Sequence, residues 1–432
     1  MFTNNNNLTI LQPLPVKLLP DGKVLLTRKL DEAIVELTKY WDGSITVMME
    51  ETQIGNDNID CKVFDLDELP FKLEIISFDL ITPALLHKHK TSLVLAVPGY
   101  RQNQISNICH LAGVPCIYVS EYTLKTRKQI ASVNTNNPIL RMRRMAWEQN
   151  QEIKQRAAIA TADGLQCNGT PTYKDYLKLN PNSMLFFDTR ISEDMLATDR
   201  DIEMRTHNRS EDMPLRLLFS GRLIKMKGAD HLMNVALELK KRAANFKLFI
   251  SGSGDLENMM HQTIAANRLQ DCVELMGVPD FKTKFFPFVK QNIDLFVCCH
   301  RQGDPSCTYL ETMSCGVPIV GYANEAFEGI SEMSETGWVV PMDKPKLMAQ
   351  KIIQLSYNRE VIKSMSFKSL RFAEKHTFEK TFKARVEHMQ RVVDNSMSMR
   401  QAGCRNMSTD LFRATSGGEI LLQEVLEVTE YH

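Results

Sequence analysis

A chain of 432 residues exceeds one ordinary hydrophobic core, so the length predicts two domains of about 150 to 220 residues each. Its 52 basic and 52 acidic residues give a formal net charge of zero, which argues against nucleic acid as a main partner. The cysteines form no CxxC pair or Cys/His cluster, so we expect no metal site, reduced thiols and a cytoplasmic protein. No stretch reaches the roughly 18 consecutive apolar residues of a membrane span, so any membrane role would be peripheral.

The N-terminal half contains short apolar runs separated by polar segments. Three of these runs predict strands: "SLVLAVPGY" (92–100), "VPCIYVSEY" (114–122) and "AAIATADGLQC" (157–167). A long charged helix is expected at about residues 140–156, before the third run. The pattern indicates an α/β domain.

From residue 215 onward, short apolar runs alternate with helical stretches. The runs are "LRLLFSG", "FKLFISGSG", "CVELMG", "IDLFVCC" and "VPIVGY", each short enough for a strand buried on both faces. Strands that alternate with helices of this length predict βαβ units and a parallel sheet. The polar segment "THNRSEDMP" (206–214) separates the halves as a linker, and the C-terminal end is expected to be a loose segment followed by one helix, "EILLQEVLEV".

Residues at the carboxyl ends of parallel strands are the natural ligand contacts in such a sheet. After "LRLLFS" come Gly221, Arg222 and, at the start of a helix, Lys227. A glycine turn, two cations and a helix N-terminus suit a diphosphate, although both cations could equally be solvated loop charges.

The following strand ends carry weaker signals. Gly252 and Gly254 would let a nucleotide approach the backbone, or form an ordinary strand-to-helix turn. Gly277 and Val278 could offer backbone groups to a base, or again be a turn.

The stretch "DPSCTYLETMSCGVPIVGY" (304–322) carries two acids. Pro305 and Ser306 suit the start of a helix, with Ser306 able to cap it. Glu311 on that helix could accept hydrogen bonds from a ribose diol, and Asp304 could face a sugar hydroxyl. The alternative for Glu311 is an exposed helix residue without a ligand.

Together, "SGRLIKMKG" (220–228), "SGSG" (251–254) and "DPSCTYLETMSCGVPIV" (304–320) resemble the motifs of the retaining glycosyltransferases of family 4, also called group 1. The resemblance covers residues 215–375. It implies the α/β GT-B fold, in which two Rossmann-like domains face each other across a cleft. The implied domains are 1–207 for the acceptor, 208–375 for the nucleotide-sugar donor, 376–395 as a helix crossing back, and 396–432 as a tail.

The resemblance also implies roles for individual residues. Arg222 and Lys227 would bind the donor diphosphate, Glu311 the ribose, and residues 276–278 the base. Gly303 stands where the family has its first glutamate, so Asp304 would substitute for it, and Glu121 replaces a family histidine. The remaining donor contacts implied are Ser306, Thr308, Asn324, Glu325, Ala326 and Phe327.

The implied reaction moves a hexosyl unit from a nucleotide-diphosphate sugar, with UDP-sugar expected, to a hydroxyl group of an acceptor. The acceptor would be a saccharide, a lipid-linked molecule or a small molecule. No cofactor or metal is expected beyond the nucleotide-sugar cosubstrate. Two alternatives stay open: a nucleotide-sugar-binding protein without transferase activity, and a GT-B-fold nucleotide-sugar epimerase. The arginines and tryptophan of "LRMRRMAW" (140–147) predict either weak peripheral membrane contact or an ordinary surface helix.

Overall fold

A computed structural model describes residues 6–52, 61–133, 137–207, 209–210 and 212–415. These residues form two α/β domains, each built on a parallel sheet with helices on both faces. The expected fold class is therefore confirmed.

The first domain has a seven-stranded parallel sheet in the order β5-β3-β1-β6-β7-β8-β9. The end of β1 also pairs with β2 in antiparallel fashion, and β2 pairs with β4. The strands are β1 (Asn7–Leu18), β2 (Val24–Thr27), β3 (Ile45–Glu51), β4 (Cys61–Phe64), β5 (Lys72–Ile75), β6 (Thr91–Ala96), β7 (Cys116–Ser120), β8 (Gly164–Asn168) and β9 (Ser183–Phe186).

Successive side chains of the strands point to opposite faces of this sheet, and apolar side chains are buried on both faces. Helices therefore cover both faces. They are α1 (Arg28–Thr38), α2 (Pro83–Lys88), α3 (Ile105–Ala112), α4 (Leu124–Val133), α5 (Pro138–Thr161) and α6 (Thr170–Tyr176). The long charged helix is thus present, but the predicted strand at 157–167 is partly wrong. Its first residues complete α5, and only Gly164–Asn168 is strand.

The second domain has a six-stranded parallel sheet in the order β12-β11-β10-β13-β14-β15. The order in which strands are added reverses between β10 and β13, because β11 and β12 extend the sheet on one side of β10 and β13 to β15 extend it on the other. The strands are β10 (Leu215–Ser220), β11 (Phe246–Ser251), β12 (Val273–Gly277), β13 (Leu295–Cys298), β14 (Ile319–Tyr322) and β15 (Trp338–Val340). Ligands bind outside the carboxyl ends of strands at such a reversal, which lies between the β10 and β13 loops.

The helices of the second domain pack on both faces of its sheet. In chain order they are α7 (Asp199–His207), α8 (Ala229–Lys241), α9 (Glu257–Ala266), α10 (Phe286–Asn292), α11 (Thr308–Ser314), α12 (Glu325–Ser334), α13 (Pro345–Ser356) and α14 (Arg359–Ala373). Short helical turns also occur in both domains. They are Leu66–Glu68, Phe78–Leu80, Glu193–Met195, Lys225–Lys227 and the π-helical Phe281–Phe285.

Two helices join the domains. α7 precedes the expected linker but packs on α10 and α14, and Arg205 donates to the carbonyl oxygens of Cys315 and Gly316. The last helix, α15 (Phe378–Thr415), returns to the first domain, where Phe382, Val386 and Met389 join the core of its sheet. The boundaries drawn at residues 207 and 375 stay predictions.

The C-terminal end differs from the loose segment expected after residue 395. α15 continues without a break to Thr415, and the predicted helix "EILLQEVLEV" lies outside the described residues. Within the described part of the chain, every helix is too short or too polar to cross a bilayer.

Candidate functional site

The first motif turn packs directly on the second. Gly221 N donates to Ser251 O at 3.0 Å, and Leu223 N donates to Ser253 O at 2.8 Å. A Cβ on Gly252 would lie 1.9 Å from Gly221 O, and one on Gly254 would lie 2.8 Å from Leu223 O. The packing of the two turns therefore accounts for Gly252 and Gly254 without a ligand.

Gly221 and Arg222 occupy the exposed side of this turn. A Cβ on Gly221, whose φ is +151°, would meet nothing closer than 3.8 Å. The Arg222 side chain is exposed and lies near Tyr122 of the first domain. Arg222 is thus accessible to a ligand between the domains.

Lys227 is buried, unlike Arg222. It ends the helical turn Lys225–Lys227 just before α8, and its ammonium donates to Asp304 Oδ2 at 2.8 Å. The following Gly228 has φ +70° and a Cβ there would lie 2.0 Å from Cys299 O. This close approach between the β10 loop and the end of β13 holds Lys227 against the β13 loop.

Asp304 therefore lies beside Lys227, as its expected role in the donor site requires. Burial raises the pKa of its carboxyl group, but the charge and hydrogen bond of Lys227, together with the nearby His300 and Gln302, outweigh burial and hold the pKa below its ordinary value. Its second oxygen, Oδ1, is buried without a hydrogen-bond partner among the described residues. A buried acceptor without a partner is costly, which points to a ligand donor at this place.

His300 lies two residues after the end of β13, and the sequence patterns did not indicate it. Its side chain is 1% exposed, and neither ring nitrogen has a hydrogen-bond partner among the described residues. Burial, with the nearby charge of Lys227, lowers its pKa to about 3, so the ring is neutral. A polar side chain at the end of a central buried strand was the available signal.

α11 carries the predicted ribose ligand. Glu311 is buried rather than an exposed helix residue, and Arg190 Nε donates to its Oε1 at 3.3 Å. Burial raises the pKa of Glu311, while Arg190 opposes that rise. Arg190 also lies over the ring of Phe281, with its Cζ 4.7 Å from the centroid.

The expected cap of α11 is different in the structure. The residue before the helix is Cys307, and Ser306 Oγ instead donates to Thr308 Oγ1 at 3.2 Å. Ser306 and Thr308 remain partly exposed at the start of the helix. Ser306 lies on the same loop as Asp304, and Thr308 is the first residue of α11.

The start of α12 combines structural and site residues. Asn324 is buried, caps the helix by accepting from Phe327 N at 2.9 Å, and donates to His300 O. Ala326 and Phe327 are core residues. Only Glu325 has a polar group to offer, because its Oε2 is buried without a hydrogen-bond partner among the described residues. Its carboxylate lies 3.2 Å from the Cβ position of Gly303.

The last predicted donor contacts lie at the end of β12. Gly277 has φ +65° and open space where a side chain would project, and Val278 is 58% exposed. Gly277 O accepts a hydrogen bond from Gly252 N at 2.7 Å. The end of β12 is therefore joined to the other two turns and open to solvent.

The first domain contributes charged groups to the facing side. Glu121 follows β7, and its surroundings desolvate it and raise its pKa, with Asp188 adding to the rise and Lys29 opposing it. Lys29 in α1 donates to Asp188, and Arg385 of α15 donates to Gln166 at 2.8 Å. Sequence reasoning named Glu121 alone, because the others come from distant segments.

Direct contacts join the two sides. Lys125 at the start of α4 donates to Glu325 Oε1 at 2.8 Å, and Gln129 accepts from Gly303 N at 3.4 Å. Lys174 of α6 pairs with Glu332 of α12 at 2.9 Å. The domains thus meet at the loop that carries Asp304.

The arrangement suits a polar anionic ligand. Two cations, the N-terminal end of α8 and several unpaired acceptors lie at the strand ends, where phosphate and hydroxyl groups could bind. Among the described residues, no group of three His, Cys, Asp or Glu side chains could hold a metal ion.

Part of the chain is similar in sequence to a known family. Residues 200–369 match the model of the family described as glycosyl transferases group 1. The amylovoran biosynthesis glycosyltransferase AmsK of Erwinia amylovora is 29% identical over 150 residues, which are 33% of this chain and 36% of that relative. The chain therefore aligns with only about a third of the length of this relative.

Solved structures match across nearly the whole chain. HepE of Anabaena, solved in complex with UDP, superposes with a TM-score of 0.61 at 12% identity over 89% of this chain and 99% of HepE. Sucrose-phosphate synthase of Thermosynechococcus elongatus gives a TM-score of 0.61 at 12% identity over 90% of this chain and 100% of that one. These likenesses establish the shared fold.

Proposed function

Because the second domain matches the group 1 glycosyl transferases within a complete GT-B fold, we propose that this protein is a retaining glycosyltransferase. It moves a hexosyl unit from a nucleotide-diphosphate sugar to an acceptor hydroxyl in polysaccharide, glycoconjugate or glycosylated-metabolite synthesis. The observation that carries this proposal is the ion pair of Lys227 with Asp304, which joins the turn after β10, where Arg222 is exposed, to the loop after β13.

The donor diphosphate lies over the Gly221 turn. Arg222 reaches it from the exposed side and Lys227 from below, beside the N-terminus of α8. In the leaving nucleotide, negative charge grows on the phosphate oxygen as the glycosidic bond breaks. Cations already held in place stabilise that charge more than water does, because they need no reorganisation during the reaction.

The donor sugar lies between Asp304 and Glu325. Each has one buried carboxylate oxygen without a hydrogen-bond partner in the part of the chain that the structure describes, and sugar hydroxyl groups are donors that would supply that partner. Asp304 takes the part of the glutamate that the resemblance places at Gly303. The partly exposed Ser306 and Thr308 lie at the edge of this subsite.

The nucleoside lies toward α11 and β12. The carboxylate of Glu311 accepts hydrogen bonds from the ribose hydroxyl groups, while the hydrogen bond from Arg190 holds this carboxylate in position. Backbone groups of Gly277 and Val278 meet the base, and HepE, which shares the fold, was solved with UDP. These features support a UDP-sugar as donor.

The acceptor enters from the first domain, where Glu121 faces the donor loop. The acceptor hydroxyl attacks the sugar on the face from which the nucleotide leaves, and the departing phosphate oxygen takes its proton. Glu121 orients this hydroxyl. α4 contacts the Gly303 loop and Glu325 of α12, and domain closure over the donor along these contacts would exclude water from the activated sugar.

The decisive experiment compares wild-type protein with Arg222→Ala. Arg222 is exposed, so its removal leaves the core intact and tests chemistry alone. We expect the release of nucleoside diphosphate from UDP-, GDP- and ADP-sugars, screened with saccharide acceptors, to fall by about 100-fold. Arg268→Ala, exposed beyond α9, is the matched control. Equal turnover of wild type and Arg222→Ala would refute the site.

The two alternatives predict different outcomes in this assay. A binding protein without activity would bind a nucleotide sugar but release no diphosphate with any acceptor. An epimerase would interconvert free donors without an acceptor. The proposed reaction uses no metal, so EDTA is expected to leave turnover unchanged.

We also propose weak peripheral membrane contact through the start of α5. Ile139, Leu140, Met142 and Trp147 are at least 44% exposed, and Arg141, Arg143 and Arg144 are exposed beside them. Apolar and basic side chains together suit an anionic lipid surface. The cytoplasmic location stays a prediction.

A further inference from the structure

His300 is among the most strongly buried polar side chains of the donor domain and has no assigned task. Its side chain is 1% exposed, and neither Nδ1 nor Nε2 has a hydrogen-bond partner among the described residues. A neutral imidazole has one N–H donor and one acceptor nitrogen, and leaving both without partners costs free energy. In a native fold such a cost calls for an explanation.

The position of the His300 ring offers an explanation for its unpartnered nitrogens. Nε2 lies 3.9 Å from the place that a Cβ of Gly221 would occupy, on the turn to which Arg222 belongs. Phe219 and Tyr309 hold the ring, with centroids 6.1 and 5.9 Å away. Because residue 221 is glycine, it places no side chain between Nε2 and the space above the turn, and this missing side chain leaves a gap at Gly221.

The neighbouring charges match an anion at that gap. Lys227 lies close enough to His300 to lower its pKa, and Asp304 already neutralises Lys227 by a 2.8 Å pair. A neutral ring can donate a hydrogen bond to a phosphate oxygen without adding a third fixed charge to this buried pair.

We propose that His300 is a donor-binding residue whose ring N–H contacts the diphosphate of the nucleotide sugar through the gap at Gly221. This inference rests on the proposed function and adds a residue that neither the motif resemblance nor the family match assigned. Its role is to bind the diphosphate, with the aromatic rings of Phe219 and Tyr309 fixing its orientation.

The test is a pair of measurements on one variant. His300→Leu replaces the ring with an apolar side chain of similar size, which removes the two unpartnered nitrogens. We expect the melting temperature of the ligand-free protein to be equal or higher. We expect UDP to bind about tenfold more weakly in calorimetry, equivalent to about 1.4 kcal/mol. If His300 were merely structural, His300→Leu would lower the melting temperature and leave the affinity for UDP unchanged.

Two further variants complete the experiment. His388→Leu is the matched control, because His388 is also buried but its Nε2 lies 3.2 Å from Asn182 O, so stability should fall and UDP affinity stay constant. His300→Gln keeps a donor group and should recover part of the UDP affinity. Unchanged UDP affinity in His300→Leu would overturn the inference.

Failure of the proposed function has a separate signature. If wild-type protein binds none of UDP, GDP and ADP, the donor site itself is wrong, and so is the inference built on it. If wild type binds one of them and His300→Leu binds it equally well, only the role of His300 is wrong.

Discussion

Replacing Lys227 with methionine should separate the stability of the donor domain from its chemistry. The Lys227 and Asp304 side chains are only 9% and 14% exposed, and their charged atoms lie 2.8 Å apart. Removing one partner of a buried ion pair costs about 3 to 5 kcal/mol, because the other charge stays buried without compensation. The same change removes a diphosphate contact, for which we expect turnover to fall by about 100-fold to 1,000-fold.

The second arm adds Asp304→Asn to Lys227→Met, so that no buried charge remains. We expect urea unfolding to show that most of the lost free energy of unfolding returns, whereas turnover stays low. Fluorescence of Trp338 in β15 reports the donor domain, provided that Trp41 and Trp147 of the first domain are replaced by phenylalanine. A stable Lys227→Met single variant, or recovery of turnover in the double variant, would refute this reasoning.

Two further predictions concern Glu311 and the start of α5. Burial raises the pKa of Glu311 above its unfolded value, so this group lowers stability as pH rises through the unfolded pKa. Glu311→Gln should therefore unfold at equal or higher urea concentration at pH 7, yet lose the preference for UDP over 2′-deoxy-UDP in calorimetry. A retained preference would remove Glu311 from the ribose site. Trp147→Ser with Leu140→Ser should abolish sedimentation with vesicles of one-third phosphatidylserine, while Val361→Ser with Tyr357→Ser on the second domain should not. Equal sedimentation of both double variants would contradict the membrane contact.

The parallel sheets could be predicted because each strand is a short apolar run buried on both faces. "LRLLFS" and "FKLFIS" carry that signal directly, and they pair residue for residue from Leu215 with Phe246 to Ser220 with Ser251. "AAIAT" misled the prediction because a short apolar run is compatible with either a strand or the end of a buried helix. In the structure these residues complete α5, with Ala158 and Ile159 in the core.

The residues of the candidate donor site could be selected from the sequence for a different reason. Arg222, Lys227, Asp304 and Glu311 follow strands of one sheet, and the carboxyl ends of parallel strands share an edge. Arg190 cannot be found this way, because it reaches Glu311 from a loop 121 positions earlier in the chain. The buried state of Lys227 was also beyond prediction, since a lysine after a glycine turn reads as a solvated charge until the opposing loop is placed.

The Lys227–Asp304 pair changes what donor binding must accomplish. A free lysine would gain its first counterion when the diphosphate arrives, but here Asp304 already provides one. The diphosphate must therefore share Lys227 with a carboxylate, and two neighbouring anions repel each other in a buried site. Under the proposed function, the sugar hydroxyls relieve this repulsion by donating to Asp304, whose Oδ1 has no protein partner among the described residues. A complete nucleotide sugar should consequently bind more tightly than the nucleoside diphosphate. Asp304→Asn should reduce this difference in affinity, as measured by calorimetry with both ligands.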